Sequence, residues 1–180
     1  MLTQNNSFQM SAFVENTVIA WMERQPDISE RVRVVHLVRD PRAIYASRRS
    51  LVWCNKNRAC GSPESICGQL RTDLDDFEEL AARIGDTSAL RIRFEDLAAN
   101  AVNETVQLFA KLELQYTPSV LKYIEGHANA SVKDMKDPYS TRRKTSIVAN
   151  AWMRKLSVET IRSIQRTCND TLLRLGYDLL

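Results

Sequence analysis

Val32–Val38 (VRVVHLV), followed at once by Arg39-Asp40-Pro41, is the part of this sequence that most restricts the fold. The run is short, nearly continuous and rich in β-branched residues, which predicts a buried parallel strand. Asp40 is a helix N-cap residue and Pro41 suits the first helical position, where its missing N–H costs nothing. Strand, tight turn and helix in this order make half of a βαβ unit. A parallel partner strand must then return through a long crossover.

The rest of the chain supplies that crossover. Pro63–Ile84 reads as a long amphipathic helix with Ile66, Leu70, Leu74, Phe77 and Leu80 on one face, ended by Gly85-Asp86. Ala89–Phe94 (ALRIRF) is predicted as the second strand. Phe8–Gln25, Val102–Leu112 and Pro118–Ile124 carry helical periodicity, and Ser157 caps a last helix closed by Gly176. Residues 127–150 are polar and lack a clear period, as in a functional loop. The pattern is that of an α/β domain whose parallel sheet is flanked by helices. Two strands are too few for a doubly wound sheet, so either further strands escape this pattern or the chain lacks them.

Charge is segregated. Residues 31–58 hold eight Lys/Arg against Asp40 alone, and residues 136–166 hold eight against Asp137 and Glu159. Two separated basic stretches can converge on one anionic ligand. They lack the aromatic interleaving or recognition-helix pattern of a nucleic-acid-binding domain, so no nucleic-acid partner is expected. Cys54, Cys60, Cys67 and Cys168 include no CxxC pair, and His36 and His127 lack metal-ligand spacing; no metal is expected. A disulfide among Cys54, Cys60 and Cys67 is expected, with the pair left open. Four N-x-S/T sequons, at Asn5, Asn103, Asn129 and Asn169, favour an oxidising lumen. No apolar run is long enough for a membrane segment, and Met1–Met10 does not resemble a signal peptide, so the chain is expected to be incomplete at its start.

Arg39 stands at the carboxyl end of the predicted strand, where open α/β sheets place ligands. A guanidinium there can take two phosphate oxygens, and the next helix offers its N-terminal amides to the same anion. Ser47 lies in the second turn of that helix on the face of the small Ala43, over which a phosphate could rest. Arg39 and Ser47 would then be the charged and neutral halves of one clamp. His36 reads as a buried strand histidine hydrogen-bonded to backbone, and Glu95-Asp96 as caps of the following helix. Trp21, Trp53 and Trp152 read as core or rim packing.

Val35–Ala43 (VHLVRDPRA) with Ser47-Arg48 resembles the 3′-phosphate-binding motif of sulfotransferases, most of all that of the Golgi carbohydrate 6-O-sulfotransferases. Arg93–Ala98 is similar to that family's RYEDLA segment, with Phe94 for tyrosine. Tyr139-Ser140-Thr141, a basic run, then Trp152 and Leu156 resemble a stretch ending in W-R-x-x-L, here with Met153 inserted before Arg154. Cys168 and Leu175-Gly176-Tyr177 match the family's last helix.

The resemblance implies a P-loop-NTPase-like parallel sheet flanked by helices. Residues 1–31 would be a leading helix, and 32–180 the matched part of a single partial domain. It implies the donor 3′-phosphoadenosine-5′-phosphosulfate (PAPS), held at its 3′-phosphate by Arg39 and Ser47 and further by Arg143 and Lys144, with Arg142 an equal candidate in that loop. It implies a glycan acceptor, keratan-, chondroitin- or N-acetylglucosamine-containing, and a Golgi-lumenal enzyme whose full-length form carries an N-terminal anchor. The family's Gly/Ser-rich loop, whose amides bind the 5′-phosphosulfate, has no counterpart here: the glycines at 61, 68, 85, 126 and 176 are scattered. The N-terminal strand and the loop are therefore expected to be absent, and the catalytic base stays unassigned. A non-catalytic module binding 3′-phosphoadenosine nucleotides is the alternative.

Overall fold

Asp40 decides where the first helix begins. In a computed structural model, which describes residues 32–85, 87–128 and 144–180, its carboxylate accepts the Arg42 N–H at 2.8 Å, and Pro41 opens helix α1 (Pro41–Arg49). The strand before it, β1 (Val34–Val38), pairs with β2 (Ala89–Arg93) in a small parallel sheet. The Val34 N–H to Ser88 carbonyl bond of 2.7 Å starts the pairing. Between the strands lie the short helices α2 (Val52–Asn55) and α3 (Arg58–Gly61) and the 22-residue α4 (Pro63–Ile84). After β2 come α5 (Phe94–Ala99), α6 (Ala101–Lys111), α7 (Pro118–Ala128), α8 (Thr145–Val148), α9 (Trp152–Lys155), α10 (Val158–Thr167) and α11 (Asn169–Arg174). The α/β expectation holds, in a mostly helical chain.

The described residues fall into two units, one holding those up to His36 with Gln69–Arg91, the other Leu37–Gly68 with Ile92–Leu180. In the first, the His36 ring packs at 4.7 Å from Phe77 of α4, and the Arg91 guanidinium lies 4.8 Å from that same phenyl ring. In the second, Ala43 and Ala46 of α1 pack with Trp152 and Ile161, flanked by Leu156. Small residues on α1 make room for the indole. Two disulfides tie the second unit, Cys54 to Cys60 and Cys67 to Cys168.

Two expectations are corrected. The strand is not buried throughout: Val35 and Leu37 are 37% and 53% exposed, because alternate side chains of β1 point to opposite faces and the described neighbours cover one of them. The last helix is broken at Cys168 into α10 and α11. Just before the break, the Thr167 hydroxyl donates to the Ser163 carbonyl at 3.2 Å, a back-bond that bends helices. The anticipated disulfide among the first three cysteines forms between Cys54 and Cys60, while Cys67 takes the distant Cys168. Helix Phe8–Gln25, Asn5 and Asn129 lie outside the described residues. Asn103 and Asn169 are exposed on α6 and α11, whereas the sequon threonines Thr105 and Thr171 are buried.

Candidate functional site

The two arginines of the Arg39-Asp40-Pro41-Arg42 turn have opposite fates. Arg42 is buried and fully engaged. Its Nε and Nη2 donate to the Asp40 carboxylate at 2.8–3.1 Å, Nη1 to the Asp178 carbonyl at 2.9 Å and Gln165 at 3.4 Å, and its plane lies 4.4 Å over Trp152. A charge pair so deep is tolerable only because its donors and acceptors are satisfied. Arg42 is therefore structural: it fastens α1 to the C-terminal segment.

Arg39, half-buried between β1 and α1, makes no hydrogen bond or ion pair among the described residues. Its Nε is buried without a partner, and its guanidinium lies 4.6 Å from the centre of the Phe94 ring. Burial lowers its pKa from the ordinary arginine value, an effect opposed first by the charge of Glu95 and then by Asp40. A cation stacked on an aromatic face, with a donor unpaired among the described residues, is chemically able to bind an anion.

Glu95 occupies the first turn of α5 but does not cap it. Its Oε1 accepts the Asp40 N–H at 3.2 Å and its Oε2 accepts the Tyr177 hydroxyl at 2.6 Å. Burial and the Glu95 carboxylate push the Tyr177 phenol far up, so it remains a donor. Asp96 pairs with Arg93 at 2.7 Å, and Arg93 also donates to the carbonyls of Gly176 at 2.8 Å and Leu175 at 3.3 Å. Neither acid serves the capping role expected of it, since Glu95 is spent on Asp40 and Tyr177, and Asp96 on the nearby Arg93 guanidinium.

Ser47 is half-buried in the second turn of α1. The face it shares with Ala43 is not open at Ala43, which is 2% exposed and covered by protein. Three amides at the start of α1 are also taken, Asp40 N–H by Glu95, Arg42 N–H by Asp40, and Ile44 N–H by the Asp40 carbonyl, while Pro41 has none. An anion beside Arg39 would thus be met by side chains, not by those amides. Lys144 is exposed just before α8. Arg142 and Arg143 lie outside the described residues.

His36, in the other unit, has its Nδ1 buried with no hydrogen-bond partner among the described residues, contrary to the expected backbone bond. Burial first, then Arg91, lowers its pKa to about 4. Trp152 is core as expected, while Trp53 is 51% exposed. Among the described residues no cluster of His, Cys, Asp and Glu is placed to hold a metal ion, and no helix is long and apolar enough to cross a membrane. The contributions of Glu95 and Tyr177 were missed because they depend on contacts between segments 82 residues apart.

A sulfotransferase family profile matches residues 27–118, which include β1, Arg39, Ser47, β2 and Glu95. The chain belongs to the sulfotransferase family. The chain is 28% identical to carbohydrate sulfotransferase 1 of Mus musculus over 82% of its own length and 39% of the relative's. It is 26% identical to carbohydrate sulfotransferase 3 of Tetronarce californica, over 86% and 38%. With carbohydrate sulfotransferase 5 of Homo sapiens the identity is 27%, over 84% and 41%. The chain thus spans about two fifths of the length of these relatives. No solved structure matches it.

Proposed function

We propose that this chain is the 3′-phosphate-binding portion of a carbohydrate sulfotransferase that uses PAPS, and that Arg39 and Ser47 hold the donor's 3′-phosphate. The observation that carries the reading is the contrast within one turn: Arg42 is saturated by Asp40, Gln165 and Asp178, whereas the neighbouring Arg39 stacks on Phe94 with its Nε unpaired among the described residues. A phosphate supplies the oxygens that this donor lacks. Loop residues Arg143 and Lys144 add positive charge in the same reading.

PAPS would furnish the sulfuryl group, and the attacking group would be a sugar hydroxyl, at the 6-position by similarity to the carbohydrate 6-O-sulfotransferases. Transfer of this kind rests on holding donor and acceptor and neutralising the leaving charge. The acceptor would be a glycan of keratan, chondroitin or N-acetylglucosamine type. The two disulfides and the exposed sequon asparagines support the Golgi lumen as its location. A P-loop-NTPase-like sheet with further parallel strands belongs to the same proposal.

The test is binding of 3′,5′-diphosphoadenosine and of adenosine 5′-phosphate, measured by calorimetry on the wild-type chain and on Arg39→Ala. The variant is expected to lose about 1.5–3 kcal/mol, roughly 10- to 160-fold, for the diphosphate alone. Equal losses for both nucleotides would refute the assignment.

A further inference from the structure

A carboxylate beside an anion-binding arginine is a liability, because it can pair with the guanidinium and occupy it. Glu95 is that carboxylate: it is the foremost charge acting on Arg39, in the first turn of the helix whose Phe94 carries the Arg39 stack. Yet Glu95 does not pair with Arg39. One of its oxygens is spent on the Asp40 N–H and the other on the buried hydroxyl of Tyr177. Tyr177 is fixed in turn. Gly176 before it adopts φ +68, a conformation glycine takes without strain, and Arg93 binds the Gly176 carbonyl while its guanidinium lies 5.3 Å from the Tyr177 ring.

We infer that Tyr177 is a latch on Glu95: by taking its second oxygen, it keeps the carboxylate from closing on Arg39 and leaves the Arg39 donors available to an anionic ligand. Glu95 and Tyr177 are positioning residues, since neither is offered to the ligand. The latch also gives the C-terminal Leu175-Gly176-Tyr177 segment a part in binding. The inference rests on the reading that Arg39 holds the 3′-phosphate.

Removal of the hydroxyl in Tyr177→Phe frees Oε2 to pair with Arg39. The affinity ratio of 3′,5′-diphosphoadenosine to adenosine 5′-phosphate, taken by calorimetry on the full chain, should fall about tenfold, within the range of a charge-assisted bond. Glutamine cannot form the ion pair, so Tyr177→Phe/Glu95→Gln should restore the ratio. Glu95→Gln alone should raise it at least about twofold, because a charge opposing the anion is gone. If Tyr177→Phe does not fold, that single variant carries the test. A merely structural bridge predicts the reverse: Glu95→Gln lowers the ratio or leaves it unmoved, and the double variant is no better than Tyr177→Phe. Either result overturns the latch. So does an unchanged ratio in Tyr177→Phe when Arg39→Ala abolishes it, a pattern that spares the phosphate assignment. If Arg39→Ala itself leaves the ratio intact, the assignment fails, and the latch with it.

Discussion

Arg42 lies over the Trp152 ring at 4.4 Å while its guanidinium donates to Asp40, Gln165 and the Asp178 carbonyl. One side chain thereby joins the β1–α1 turn, the short helix α9, helix α10 and the C-terminal segment. Asp40 and Arg42 are each 3% exposed. Truncation of Arg42 to Ala would strand the Asp40 carboxylate in the interior, a loss of about 3–5 kcal/mol. Urea denaturation should show the midpoint falling with little change in slope. A midpoint within experimental error of wild type would mean the pair does not anchor the fold.

The two disulfides differ in what they constrain. Cys67 and Cys168 are separated by 101 positions, Cys54 and Cys60 by 6. In the chain-entropy account a loop near 100 residues contributes about 4.7 kcal/mol and one under 15 residues less than about 3 kcal/mol. The Cys67→Ser/Cys168→Ser chain should therefore unfold at lower urea than Cys54→Ser/Cys60→Ser. Thiol counting on each variant would verify that the remaining bridge is intact, and the opposite order of midpoints would count against this account.

The elements that sequence discloses are those with local causes. Asp40-Pro41 announces a helix start because cap and proline act within one turn, and Pro63–Ile84 has the bounds that its periodicity predicts. What sequence hides depends on distant partners. Nothing near Glu95 points to Tyr177, and the spacing of Cys67 does not choose Cys168. Arg39 and Arg42 look equivalent as letters. They are told apart only when the fold delivers Gln165, Trp152 and the Asp178 carbonyl to Arg42, and Phe94 to Arg39. The run around Val35 and Leu37 reads as buried because β-branched residues favour strands, whereas exposure is decided by what packs on each face.

His36 makes stability depend on pH. Its pKa falls from 6.5 to about 4 in the folded chain, owing to burial beside Phe77 and to the Arg91 charge. Between those values the unfolded chain binds a proton that the folded one refuses, so stability is retained above about pH 6.5 and declines as the pH falls toward 4. His36→Phe keeps a ring against Phe77 and removes the proton site. Urea midpoints measured from pH 7.5 down to roughly 4.5 should fall more steeply for wild type than for the variant. Parallel curves would show that His36 is not the group responsible.

Phe94 stands at the tyrosine position of the RYEDLA segment that Arg93–Ala98 resembles, and Arg39 rests on its ring at 4.6 Å. The useful part of the side chain here is the aromatic face, which both residues possess. Phe94→Tyr should accordingly leave 3′,5′-diphosphoadenosine affinity within about twofold, a change of under 0.5 kcal/mol. Phe94→Leu keeps apolar bulk but lacks the ring's quadrupole, and the cation–π contribution it removes is about 1 kcal/mol, roughly fivefold in affinity. Adenosine 5′-phosphate binding should stay the same in both variants, since the stack acts through Arg39 and Arg39 is assigned only the 3′-phosphate. A leucine variant that binds the diphosphate as tightly as wild type would show that the ring does not orient the guanidinium. A variant that loses both nucleotides alike would show that Phe94 supports the surrounding fold rather than the clamp.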